Sequence, residues 1–292
     1  MYSQILFPTD GSEGSAVAFG HVLEIADTHG ATVHVLHVAD TTRDSVFRRQ
    51  GEVVDTLEQE GETIVRDASD RARQRGIETV TEVRQGEPYS TVADYAASHD
   101  IDLTVMPTHG RQGLKRFLLG STTERVIRQA ETPVLTLRPD TDTIDYPYRN
   151  VLVPTDGSES AQDALAIGVD IASTEGAALH LLSVVATTTL GVDIQNEIQQ
   201  TMLEESATQI IEDASAFATD AGVEPTAEAI EFGPSTPQTI RTYIDDHDID
   251  LVVVGTHGRT GFDRYLLGSV TEHLVRTSPA PVLTVRGERT ET

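Results

Sequence analysis

Two stretches of the chain combine glycine, serine and arginine at a spacing that suits phosphate. The first runs Pro107-Thr-His-Gly-Arg-Gln-Gly-Leu-Lys-Arg-Phe-Leu-Leu-Gly-Ser121. The second, 148 residues later, runs Gly255-Thr-His-Gly-Arg-Thr-Gly-Phe-Asp-Arg-Tyr-Leu-Leu-Gly-Ser269. Each follows an apolar run and leads into a helical pattern. Backbone N–H groups at a helix N-terminus point outward and carry partial positive charge, so such a junction attracts anions. In the second stretch Gly258 lets the backbone approach a phosphate without a Cβ in the way. Gly268 and Ser269 open the helix, so their N–H groups are expected to be free for an anion. The Ser269 hydroxyl can donate too, and Arg259 can add a charge-assisted contact. His109 and His257 have the right type for catalysis, but no Ser–His–acid arrangement accompanies them, so loop packing is the expectation. His34 and His180 lie on strands and read as structural.

A repeat of that length means one domain present twice. The halves align beyond the glycine stretches. Ile5-Leu-Phe-Pro-Thr-Asp-Gly-Ser12 matches Val151-Leu-Val-Pro-Thr-Asp-Gly-Ser158, and His99-Asp-Ile-Asp-Leu103 matches His247-Asp-Ile-Asp-Leu251. The expected domains are 1–138 and 150–292. The segment 139–149 between them, with two prolines and three Asp, reads as a linker. In the first half, strands are predicted near 3–8, 31–38, 77–84, 102–107 and 133–138. Helices are predicted near 13–29, 52–75, 88–98 and 120–130. Ser12 and Ser158 stand where N-caps belong, and Gly30, Gly76, Gly176 and Gly222 where helices end. Short strands that are apolar throughout, such as Leu251-Val-Val-Val254, suit a parallel sheet covered on both faces. The fold class is therefore α/β, two doubly wound domains in tandem. Ligands of such sheets bind at the carboxyl ends of the strands, at the topological switch point.

Composition narrows the partners. The 292 residues carry a net charge of −26, with 47 acidic against 21 basic side chains. That balance repels nucleic-acid backbones and anionic membranes. Lys115 is the only lysine, and the acidic residues are spread over both halves. This suits a surface adapted to high salt, as in a halophile. There is no cysteine, which excludes disulfides and thiol catalysis. No apolar run approaches a membrane span. The opening Gln4-Ile-Leu-Phe-Pro8 is preceded by no basic region, so a secretory signal is not expected and a cytoplasmic location is.

Common phosphate and hydrolase motifs are absent: no G-x-x-x-x-G-K-[ST], no G-x-G-x-x-G, no G-x-S-x-G. What remains is G-x-x-G, nine residues, then G-[ST], behind Pro-Thr-Asp-Gly-Ser and ahead of Pro-Val-Leu. The set resembles the universal stress protein family, nearest to its ATP-binding branch, over essentially the whole chain. The resemblance implies five-stranded parallel sheets of strand order 3-2-1-4-5. It also implies an adenine nucleotide held across the first and fourth strands, ATP with Mg²⁺ bridging its phosphates. Asp156 can then accept from a ribose hydroxyl or lie near adenine, and it is equally a natural turn residue. Val184 and Val185 can meet the base through backbone groups. Pro154, Thr155, His257, Val270 and Thr271 flank these and complete the candidate site with Gly255, Gly258, Arg259, Gly268 and Ser269. The first half keeps Asp10, Gly110, Arg111, Gly120 and Ser121 but has Pro107 where the second has Gly255. Proline lacks an N–H and adds a ring where backbone should meet ligand, so the second half is expected to be the better site.

The resulting expectation is a nucleotide-dependent regulatory protein of the stress response. No residue stands out as a base or an arginine finger, so at most slow ATP hydrolysis is expected. A ligand-free scaffold is the alternative, with both sites vestigial. One loop reads phosphate and the base contacts are backbone, so ATP, ADP, AMP and a cyclic nucleotide fit alike. Family members pair through their last strands. Val134-Leu-Thr-Leu137 and Val282-Leu-Thr-Val285 are apolar edges expected to pair with each other as an intramolecular pseudo-dimer, or with another chain as a homodimer. The residues name no protein partner.

Overall fold

The structure is a computed structural model that describes residues 2–41, 52–110, 119–139, 144–187, 195–258 and 267–287. It divides into two units, Met1–Tyr146 and Pro147–Thr292. The first alternates β1 (Gln4–Pro8), α1 (Glu13–His29), β2 (Thr32–Asp40), α2 (Glu52–Gln74), β3 (Thr79–Gly86), α3 (Pro88–Ser98), β4 (Leu103–Pro107), α4 (Ser121–Gln129) and β5 (Val134–Leu137). The second repeats the pattern as β6 (Asn150–Pro154), α5 (Glu159–Glu175), β7 (Ala178–Ala186), α6 (Gln195–Asp220), β8 (Ala227–Gly233), α7 (Thr236–Asp246), β9 (Leu251–Gly255), α8 (Ser269–Thr277) and β10 (Val282–Val285).

Within each unit the strands are parallel and follow the expected order. In the first it is β3-β2-β1-β4-β5; in the second, β8-β7-β6-β9-β10. The central strands are buried on both faces: Ile5, Leu6, Val151, Leu152 and Val153 are wholly inaccessible. Only a sheet sandwiched between helices hides consecutive residues that way. The glycines expected to end helices adopt the left-handed conformation, Gly30 at φ 64°, Gly76 at 75°, Gly176 at 69° and Gly222 at 85°, where a Cβ would be strained. Ser12 caps α1 with its side chain, accepting from Ser15 N–H at 3.2 Å. Ser158 stands at the same place on α5 and makes no side-chain cap bond.

Strand β3 begins at Thr79 rather than near 77. Ile77 N–H donates to Ala72 O at 3.1 Å to close the helix end, and pairing with β2 starts at Val33↔Thr79. The repeated His-Asp-Ile-Asp explains itself in three dimensions. Asp100 and Asp248 turn the chain at φ 49° and 48°. Asp102 Oδ2 accepts from Ser3 and Gln4 N–H at 2.7 and 2.9 Å, clamping the start of β1 to that of β4. Asp250 does the same for Arg149 and Asn150 at 2.7 and 2.9 Å.

Candidate functional site

The crevice of each unit opens because its first and fourth strands part. β6 and β9 pair at Val151↔Leu251 and Leu152↔Val252, yet they run on to Pro154 and Gly255. The crossing helices leave on opposite sides here, which is the switch point of a doubly wound sheet. On β9, Val252 and Thr256 N–H donate toward β10, to Pro281 and Val285 O at 3.0 and 2.9 Å. Strand alternation therefore aims the Gly255 N–H the other way, into the gap left by β6. Leu182 O accepts from Thr155 N–H at 2.8 Å. By the same alternation the backbone of half-buried Val184 faces the gap just beyond the end of β6; Val185, 6% exposed, faces β8.

The turn after β6 is self-bonded. Pro154 ends the strand in the core, and buried Thr155 accepts from Gly157 N–H at 3.2 Å. Asp156 Oδ1 accepts from Ser158 N–H at 3.0 Å, so its turn role is real. Its other oxygen faces the glycine loop: a Cβ on Gly258 would sit 3.0 Å from Asp156 Oδ2. Gly258 itself is exposed. Asp10 and Gly110 repeat this arrangement in the first unit, with Asp10 Oδ1 accepting from Ser12 N–H at 3.0 Å and Asp10 Oδ2 crowding the Cβ position of Gly110.

The helix behind the loop corrects one expectation. Gly268 is the N-cap of α8, but its N–H is taken, donating to Thr256 O at 2.8 Å, and Gly120 N–H donates to Thr108 O at 2.7 Å. Each loop returns to the end of its own strand, which consumes that donor. The first helical bond of α8 is Glu272 N–H to Gly268 O at 2.8 Å. The N–H groups the helix leaves without an acceptor are thus those of Ser269, Val270 and Thr271. Ser269 and Ser121 are exposed at the first helical position. Thr271 turns inward, its hydroxyl donating to Gly255 O at 2.7 Å. His257 Nδ1 pairs with Thr256 Oγ1 at 2.9 Å and His109 Nδ1 with Thr108 Oγ1 at 3.1 Å. Arg111 and Arg259 lie outside the described residues. Among the described residues no group of three or more His, Asp or Glu side chains is arranged to hold a metal.

The glycine at 255 has a reason that the sequence hides. A Cβ there would meet Ser160 of α5, 2.5 Å from its carbonyl oxygen and 2.7 Å from Oγ. The missing side chain makes room for a helix rather than for a ligand. In the first unit the bulk is exchanged. Pro107 and Pro139 stand where Gly255 and Gly287 stand, and Gly14 replaces Ser160. A Cβ on Gly14 would lie 2.9 Å from Pro139 Cγ. Pro107 breaks no bond to β5, because Thr108 N–H donates to Leu137 O at 2.8 Å and alternation turns residue 107 toward β1. What Pro107 removes is one donor facing the crevice. Ser160 was not among the residues singled out from the sequence; laying Ser12-Glu-Gly14 over Ser158-Glu-Ser160 is the signal that finds it.

Displaced ionisations lie away from the crevice. His34 Nδ1 shares a hydrogen bond with Tyr95 OH at 2.8 Å, and His180 Nδ1 with Tyr243 OH at 3.1 Å. Burial first, then the neighbouring His99 or His247, holds both below the usual histidine value. Burial likewise raises Tyr95 and Tyr243.

A doubly wound sheet in duplicate, each copy with a glycine loop and a helix N-terminus at its switch point, defines a class of α/β proteins built to hold an anionic ligand. The particular family follows from comparison. The universal stress protein family model matches residues 1–138 and again 147–286, and the chain belongs to that family as a tandem member. The universal stress protein MJ0531 of Methanocaldococcus jannaschii is 34% identical over 141 residues, which is 47% of this chain and 83% of that one. A universal stress protein of Archaeoglobus fulgidus superposes over 98% of both chains with a TM-score of 0.75 at 20% identity, a likeness of fold. A universal stress protein solved in complex with cAMP is 25% identical, covers 48% of this chain and 99% of that one, and has a TM-score of 0.39. Among the described residues no helix is long and apolar enough to cross a membrane.

Proposed function

We propose that the chain is a nucleotide-dependent regulatory protein of the stress response, with its better adenine-nucleotide site in the second unit. The observation that supports this most is the convergence of donors on one crevice. The N–H groups that α8 leaves without a helical acceptor, on Ser269, Val270 and Thr271, the Ser269 hydroxyl and the Gly255 N–H all lie at the carboxyl ends of the strands, as does Gly258. On this reading these groups would hold phosphates. Asp156 Oδ2 and the Val184 backbone lie where ribose and base would extend. ATP brings its own charge, so Mg²⁺ would be held mainly by phosphate oxygens and water rather than by a protein cage. The reading is one of binding, with at most slow hydrolysis. Bound nucleotide would order the glycine loop and alter a surface read by a partner, provided the two loop states differ in affinity for it.

One observation favours a second reading. One of the two key glycines has a protein reason to be glycine, Gly255 against the backbone of Ser160. A scaffold that binds nothing would need it too. Mass spectrometry of ligand released on denaturation, followed by ATP calorimetry with Mg²⁺ in high salt, separates the readings. One nucleotide per chain supports the proposal. Two per chain refutes the preference for the second unit. None at any salt leaves the scaffold.

A further inference from the structure

The first turn of α5 reaches across the crevice to the glycine loop. Ser160 Oγ donates to His257 O, a bond between residues 97 apart in the chain. The His257 carbonyl and the Gly258 N–H belong to one peptide plane, and in a trans peptide they point in opposite directions. Holding the carbonyl toward α5 therefore holds the Gly258 N–H away from it, on the open side of the loop. At the matching His109 of the first unit the helix supplies no such side chain. Gly14 has no hydroxyl, although its Cβ position would be only 3.3 Å from His109 O. The space a serine would need there is taken by Pro139, at 2.9 Å.

We infer that Ser160 is the positioning residue of the second unit's nucleotide site, fixing the His257–Gly258 peptide so that its N–H is presented to phosphate. The inference rests on the nucleotide reading above and deepens it. It locates the difference between the halves in an exchange of three residues: Gly14, Pro107 and Pro139 against Ser160, Gly255 and Gly287. Pro107 removes one donor, and Gly14 leaves the His109–Gly110 peptide without a side-chain bond to hold it. Neither defect alone accounts for the difference, and replacing Pro107 alone does not repair the first unit.

The test uses the full chain, with Mg-ATP as the probe in calorimetry. Ser160→Ala is expected to weaken binding about tenfold, the scale of one lost hydrogen bond, and Ser160→Thr, which keeps the hydroxyl, to recover most of it. Thermal unfolding is followed in parallel. A purely structural serine would lower the melting temperature and leave the dissociation constant alone. The reverse experiment installs Gly14→Ser, Pro107→Gly and Pro139→Gly together and is expected to raise the nucleotide count by one per chain, while Pro107→Gly by itself is not. Wild-type protein that takes up no nucleotide refutes the nucleotide reading and this inference with it. Wild-type binding with an unchanged constant in Ser160→Ala refutes the inference alone. If Ser160→Ala does not fold, the triple replacement decides: no added site overturns the inference.

Discussion

Alanine at position 255 and alanine at position 258 should have opposite effects, although both replace a glycine of one loop. A Cβ at 255 would lie 2.5 Å from the Ser160 carbonyl oxygen and 2.7 Å from its carbonyl carbon. Ordinary contact begins near 3.4 Å, so the first turn of α5 would have to retreat by about 0.9 Å. Overpacking of this kind costs about 1–3 kcal/mol. Neither glycine needs a positive φ, so alanine recovers roughly 0.4–1 kcal/mol by restricting the unfolded chain. The net for Gly255→Ala is a loss of about 1–2 kcal/mol, or roughly 2–8 °C in a domain of this size. At 258 the nearest atom is a single carboxylate oxygen, Asp156 Oδ2 at 3.0 Å, which can swing aside. Gly258→Ala should stay within about 0.5 kcal/mol of wild type and weaken nucleotide binding instead. Scanning calorimetry and ATP titration on both variants check the pair. A wild-type melting temperature for Gly255→Ala, or an equal drop for Gly258→Ala, would refute the assignment of one glycine to the helix and the other to the ligand.

Three further outcomes follow from the geometry. His21, only 4% exposed on α1, has its pKa lowered from 6.5 to about 4, chiefly by burial. A depressed histidine favours the folded state while neutral, so its contribution is full above pH ~6.5 and is lost as pH falls toward 4. The shift corresponds to about 3 kcal/mol; urea midpoints of wild type and His21→Leu between pH 7 and 4 should converge in their pH slopes only if another group is responsible. Asp102→Asn or Asp250→Asn keeps the shape but removes the charge from a carboxylate that accepts two backbone N–H groups; each should cost about 1–2 kcal/mol in chemical denaturation, and no loss would show the clamps to be idle. With a net charge of −26, the unfolding midpoint should rise as KCl goes from ~0.1 to ~1 M, where the screening length shrinks to ~3 Å; a flat salt profile would remove the case for a high-salt surface.

The helix-ending glycines and the apolar parallel strands were legible because each rests on local signals, whereas the strand order was legible only through the family resemblance. Gly30 and Gly176 need only their own φ, and apolar strands such as Leu251-Val-Val-Val254 need only their own side chains. What stayed hidden involves atoms far apart in the chain. Gly255 reads as a ligand glycine until Ser160 is seen against it. The Gly268 N–H reads as free until the loop is seen to return it to Thr256 O. The His-Asp-Ile-Asp repeat was visible as a repeat, but its work as a clamp on β1 and β6 appears only when Ser3 and Arg149 are brought beside it.

The two units also differ unevenly, and the pattern bears on function. Toward the amino ends of the strands the duplicate is faithful. Tyr95 stacks on His99 and Tyr243 on His247, each at 3.9 Å, and each tyrosine bonds a strand histidine. The Asp102 and Asp250 clamps repeat to within the same distances. At the carboxyl ends Gly14, Pro107 and Pro139 are exchanged for Ser160, Gly255 and Gly287. Either set fills the space between helix and loop, so packing alone does not require the exchange. The two sets differ in the donors they present: the second adds an N–H at 255 and a hydroxyl at 160 that aligns another N–H at 258. On the proposed reading the exchange changes the donors offered to the crevice, the property a phosphate would read and a bare scaffold would not.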